Sequence, residues 1–131
     1  MPGRKSLEAR QYYAHRQNAF WRIVGELLGV DADAPYRGRV AALKAARIAV
    51  WDVLHSCTRE GSLDSNIDRD SEIANNFRGF FRSHREISRV FFNGVKAEAS
   101  FKRHVAGEIV AESYRFARLP STSPANASAS F

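Results

Sequence analysis

Between residues 48 and 54 the chain carries Ile48, Val50, Trp51, Val53 and Leu54 in a near-continuous apolar run broken only by Asp52 and a small alanine. A short apolar run rich in strand formers, without polar alternation, suits a strand buried on both faces of a parallel sheet. Parallel strands need crossover connections, and the flanking sequence supplies them. Residues 18–30 space Phe20, Trp21, Val24, Leu27 and Leu28 close to a helical period, with Asn18 at the N-cap position. After a break at 31–35, residues 36–46 resume a helical pattern through Val40, Leu43 and Ala46. Downstream, 73–83 reads as a helix through Ile73, Phe77, Phe80 and Phe81, 87–92 as a second buried strand, 94–105 as a helix and 114–119 as a last strand. This alternation predicts an α/β chain whose parallel sheet is covered by helices.

A chain of 131 residues has room for one domain with one core. Its formal net charge of +6 favours polyanionic partners through phosphate neutralisation. Arginine-rich usage alone produces the same charge, so charge by itself decides nothing. A single cysteine, Cys57, excludes an internal disulfide framework and a cysteine-cluster metal site. It points to a reducing, cytoplasmic setting. The longest apolar stretch is far short of the roughly 20 residues that span a bilayer, which leaves a protein without membrane partners.

Ligands of open α/β sheets sit at the carboxyl ends of the strands. Three polar segments fall there: 55–65 after the first predicted strand, Asn93 and Gly94 after the second, and 120–126 after the third. By composition the stretch from Pro120 to Ser130 that contains the last of these, rich in Ser, Ala and Pro, reads as a disordered tail.

Four strings carry a resemblance. They are residues 11–21, including Tyr12, Tyr13, His15, Asn18, Phe20 and Trp21; Trp51 to Leu54 with 59–65, from Arg59 through Gly61 and Ser62; Phe92, Asn93 and Gly94 with 95–97; and 119–126, with Pro120, Ser121, Thr122, Ser123, Pro124 and Asn126. In this order and at these separations the chain resembles the hypoxanthine-DNA glycosylase family of the uracil-DNA glycosylase superfamily. The resemblance implies a three-layer α/β/α domain over residues 1–131. It also implies that a first strand upstream of Met1 and a final helix beyond Phe131 are lacking, so that the domain is incomplete at both ends. It implies an enzyme of base excision repair that flips a deaminated base out of DNA and hydrolyses its N-glycosidic bond. The base implied is hypoxanthine.

The resemblance also assigns roles. Asn18 is the catalytic candidate, its amide oxygen accepting from the attacking water; the alternative reading is an N-cap for the following helix. Asn93 is placed to contact the flipped base, accepting and donating as hypoxanthine requires, where the plain reading is an Asn-Gly turn. Tyr12 and Tyr13 offer a stacking face and His15 a donor to the purine or a phosphate, although paired tyrosines and lone histidines more often pack. Arg59 and Ser62 on one loop, and Ser121, Thr122, Ser123 and Pro124 on another, are the candidates for gripping the DNA backbone. Phe20, Trp21 and Trp51 are expected in the core, Asp52 as an anchor for His55 or its loop, and Lys96 and Lys102 as surface charges.

No metal-ligand spacing is present in the sequence, and hydrolysis needs only water, so no cofactor is expected. Without an obvious catalytic lysine at the motif positions, Lys96 reading as a surface charge, the expected enzyme is a monofunctional glycosylase acting as a monomer on nucleoid DNA. Two alternatives stand beside it: a mismatch-specific uracil or thymine glycosylase on the same scaffold, and a truncated DNA-binding derivative without catalysis.

Overall fold

In the computed structural model, residues 11–13, 18–59 and 67–123 are described, with the backbone alone at 56–59 and 67–70. They fall into two compact units, one running Asp52–Ser121 and the other formed by the described residues before Asp52 with Thr122 and Ser123.

In the second of these units, α1 (Phe20–Leu28) and α2 (Tyr36–Ala45) arise where the apolar spacing predicts them. Gly29 ends α1 in the left-handed conformation, φ 70°, where a side chain costs energy. Trp21 is buried; Tyr36 meets its ring edge-on at 5.9 Å, and the Arg39 guanidinium lies 4.6 Å over it. Arg39 is held in turn by its Nε donating to the Ala34 carbonyl at 2.9 Å. Leu43 is the buried residue of α2.

The Asp52–Ser121 unit holds β1 (Leu54–Arg59), β2 (Ile67–Ala74), α3 (Phe77–Ser83), β3 (Arg89–Asn93), α4 (Val95–His104) and β4 (Arg115–Leu119). Here β3 and β4 pair in parallel, in register from Arg89 opposite Arg115 to Asn93 opposite Leu119. With α4 between them they make the strand-helix-strand crossover expected of an α/β chain. The core is aromatic. Phe77 and Phe81 on one face of α3, Phe92 on β3, Phe101 in the C-terminal half of α4 and Val105 just after it form its buried centre. Phe101 lies 5.5 Å from Phe77, 5.1 Å from Phe92 and 5.7 Å from Phe116, centroid to centroid. Burying each such ring contributes roughly 1.5–3 kcal/mol, so this cluster anchors both α3 and α4 to the parallel pair.

Three sequence expectations are corrected. The apolar run 48–53 forms no strand; the chain enters one only at Leu54, and Ile48 and Trp51 stand 44% and 39% exposed, so Trp51 is not a core residue. Instead β1 continues into the stretch that reads as a polar loop and pairs antiparallel with β2, Leu54 facing Ala74 and Arg59 facing Ile67, with irregular register between. A hairpin partner close in sequence closes a short loop at small entropic cost, whereas an apolar run makes a parallel strand only if another strand lies beside it. Ile73, predicted helical, lies in β2 and is 59% exposed. The helix starts later because Asn76 caps it, Oδ1 accepting from the Gly79 amide at 3.0 Å. Finally, β3 is not buried on both faces: Phe92 is buried while its neighbour Phe91 is 59% exposed.

Candidate active site

The carboxyl ends of β3 and β4 bring one predicted group together. Gly94 follows Asn93 with φ 104° and ψ 172°, a region open essentially to glycine alone. Its amide donates to the Phe92 and Leu119 carbonyls, both at 3.0 Å, which closes the end of the parallel pair. A Cβ added at Gly94 would stand 3.0 Å from the Ser121 Cβ. The glycine therefore serves two needs at once: it admits the conformation, and it lets the segment after β4 approach the turn after β3. Asn93 and Ser121 are both half-buried beside it. The 120–123 segment is thus part of the fold and not the loose tail its composition suggests.

In the other unit the predicted residues gather around the start of α1. Asn18 Oδ1 accepts from the Phe20 amide at 2.9 Å, and Ala19 already has helical φ and ψ with its carbonyl accepting from Ile23. Asn18 therefore caps α1, as its structural reading predicts. That bond uses one of the two lone pairs on its oxygen. The buried Ala19 donates its amide to the Thr122 carbonyl at 2.9 Å, and Thr122 is itself buried. Tyr13, at φ 54°, stacks on Phe20 with centroids 4.0 Å apart. The Tyr12 carbonyl accepts from Trp21 Nε1 at 2.9 Å, and its amide donates to the Tyr36 hydroxyl. One face of Tyr13 is thus committed to packing. Asn18 and Asn93 belong to different units. His15, Ser62, Pro124 and Asn126 lie outside the described residues, and Arg59 is described as backbone at the end of β1. The Asp52 carbonyl accepts from Asn75 Nδ2 at 2.7 Å, while His55 is exposed.

The sequence reading missed a charge cluster built round a buried carboxylate. The Glu72 side chain, on β2, is 1% exposed and accepts from two residues of α4: Lys96 Nζ at Oε1 and His104 Nε2 at Oε2, the latter at 2.8 Å. Burial raises the Glu72 pKa, but Lys96 and His104 together, by hydrogen bond and charge, lower it by more, and the carboxyl rests below its ordinary value. Lys96 is therefore not the free surface charge its position suggests, whereas Lys102 is exposed and pairs with Glu98 one turn away at 3.7 Å. Lys96, Ser100 and His104 recur every fourth residue, a polar stripe flanked by the buried Phe101. That stripe is legible in the sequence; the carboxylate that meets it comes from a distant strand and is not.

No protein-family model matches the chain. It is 37% identical over 127 residues, 96% of its length and 76% of the relative's, to a hypoxanthine DNA glycosylase from Methanosarcina acetivorans. The chain belongs to the hypoxanthine DNA glycosylase family. A second hypoxanthine DNA glycosylase, from Methanosarcina barkeri, is 39% identical over 98 residues, covering 74% of this chain and 61% of that protein. The solution structure of a candidate uracil DNA glycosylase from M. acetivorans superposes with a TM-score of 0.77 at 35% identity, over 95% of this chain and 74% of that one. The family's α/β fold is therefore that of the uracil-DNA glycosylase superfamily. No described helix is long and apolar enough to cross a membrane.

Proposed function

We propose that this family member is a DNA repair glycosylase that flips hypoxanthine out of DNA and hydrolyses the bond between its N9 and the deoxyribose C1′. The observation that carries the reading is the 37% identity across 96% of the chain to a hypoxanthine DNA glycosylase. Water adds at C1′, the departing base takes the electron pair of the broken bond and is protonated, and an abasic sugar remains. Positive charge builds on the sugar and negative charge on the base, so the reaction needs a positioned water and donors to the base.

In this reading Asn93 meets the flipped base with its amide, and the glycine behind it supports the close backbone approach. Asn18 orients the water with the lone pair its capping bond leaves. An amide cannot accept the proton outright, so Asn18 positions the water and does not act as a general base. Tyr12, Tyr13 and His15 lie toward the base; Ser121, Thr122, Ser123, Pro124, Arg59 and Ser62 hold the backbone. The enzyme works as a monomer in the cytoplasm, on nucleoid DNA, and without lyase chemistry.

Uracil is the second substrate to consider, because the superposed structure is of a candidate uracil DNA glycosylase. Release of free base from duplexes carrying a single deoxyinosine, deoxyuridine, mismatched thymidine or deoxyxanthosine separates these readings. Fastest release from deoxyinosine is the expected result. Release from deoxyuridine alone would move the chain to the uracil branch, and DNA binding without release from any duplex would leave a binding module.

A further inference from the structure

Among the described residues, Glu72 is a carboxylate enclosed in the protein and clasped at both oxygens. A carboxylate in such a place is costly without partners, and here both come from one helix. Lys96 and His104 sit eight positions apart on α4, a rise of about 12 Å at 1.5 Å per residue, so their side chains converge on the carboxylate from opposite ends. Between them lies Ser100, 2% exposed and with no hydrogen bond to its hydroxyl.

The adjoining face of α4 packs Phe101 against Phe77, Phe92 and Phe116. Ring contacts of this kind set the distance of a helix from its sheet but tolerate rotation and sliding, because dispersion is weakly directional. Two hydrogen bonds to one carboxylate do not tolerate it. The first turn of α4 begins at Val95, directly after Asn93 and Gly94, and the Glu98 amide bonds back to the Gly94 carbonyl. A turn of α4 about its axis would therefore move the Asn93 amide.

We infer that Glu72 is a positioning residue for the glycosylase: by gripping Lys96 and His104 it sets the rotation of α4, and through Gly94 the placement of the Asn93 side chain against the base. The inference rests on the reading of Asn93 as the base contact. Glu72 touches neither water nor base and acts through Asn93. Displacement of a contact group by about 1 Å can cost on the order of a hundredfold in rate.

The experiment compares wild type, Glu72→Gln, Lys96→Met and Lys96→Arg, each also in an Asn93→Ala background. Two readouts are taken: single-turnover release of hypoxanthine from a deoxyinosine duplex at saturating enzyme, and the backbone amide NMR signals of Asn93 and Gly94. Glu72→Gln and Lys96→Met are expected to slow release by at least about tenfold and to shift both amide signals, with the burst amplitude kept; Lys96→Arg restores much of the rate. In the Asn93→Ala background the same changes are expected to cost nothing more, since effects through a shared residue do not add. A merely structural role would lower the amplitude and leave the rate of the folded fraction unchanged, and that result overturns the inference. So does an undiminished cost in the Asn93→Ala background. If the wild type releases no base, the functional reading falls, and unmoved Asn93 and Gly94 signals in Glu72→Gln then decide against the positioning role as well.

Discussion

The oxygen of Asn18 is bonded to the first turn of α1, so substitutions there touch stability and, in the proposed mechanism, the water. Asn18→Ala removes the cap and is expected to cost about 1 kcal/mol of stability and to slow base release by about a hundredfold or more. Asn18→Asp keeps an acceptor and places negative charge at a helix N-terminus, where it is favourable. Its melting temperature is expected to match or exceed the wild type, and its rate of release to stay well above that of Asn18→Ala. Equal rates for the two variants, with stability differing as stated, would mean that capping is the only task of Asn18. Gly94→Ala tests the other residue-scale constraint. Its backbone angles and the 3.0 Å approach of Ser121 leave no place for a methyl group. A loss of about 1–3 kcal/mol is expected in denaturant unfolding. Asn93 and Gly94 were legible as a pair from their place after a strand, but the reason for the glycine, the nearness of Ser121, depends on a segment 27 positions away.

At the scale of elements, α4 is the most informative. Its apolar face was readable from period alone, and its polar face was misread because a lysine in a helix is usually solvated. The buried carboxylate on β2 makes that face a docking surface. Since the folded-state pKa of Glu72 is lowered, its stabilisation is fully present above the ordinary carboxylate pKa and is lost as pH falls through the lowered folded value. The groups that face it are Lys96 and His104 from α4. Unfolding free energies measured from neutral pH downward are expected to fall over that acid range in the wild type, and less steeply in Glu72→Gln. Ser100→Ala removes a buried hydroxyl without a partner and installs a better helix former. It is expected to raise the unfolding midpoint by up to about 1 kcal/mol in free energy. A clear destabilisation instead would show that the hydroxyl has a role in the cluster. The hairpin β1–β2 was not foreseen, because residues 54–59 and 67–74 have no period that distinguishes paired strands from a polar loop; only their mutual hydrogen bonds do.

For the whole molecule, the surplus of six positive charges gains its meaning from membership in a DNA glycosylase family. Binding to undamaged duplex DNA is expected to weaken by at least about tenfold between about 50 and about 200 mM salt, through counterion release, in a fluorescence anisotropy titration. Affinity indifferent to salt would contradict a phosphate-contacting surface. The linear order of residues was enough to determine the α/β class, the two N-terminal helices, the strand-helix-strand crossover from β3 through α4 to β4, and the family, because these rest on local period and on motif strings. Tertiary structure alone decided three things: that the apolar run 48–53 is not a strand, that Ser121 closes on Gly94, and that Glu72 grips both ends of α4. Each depends on whether a hydrogen-bonding or charged group finds a partner distant in the chain. Such pairing is settled by the folded arrangement of elements, and local pattern carries no record of it.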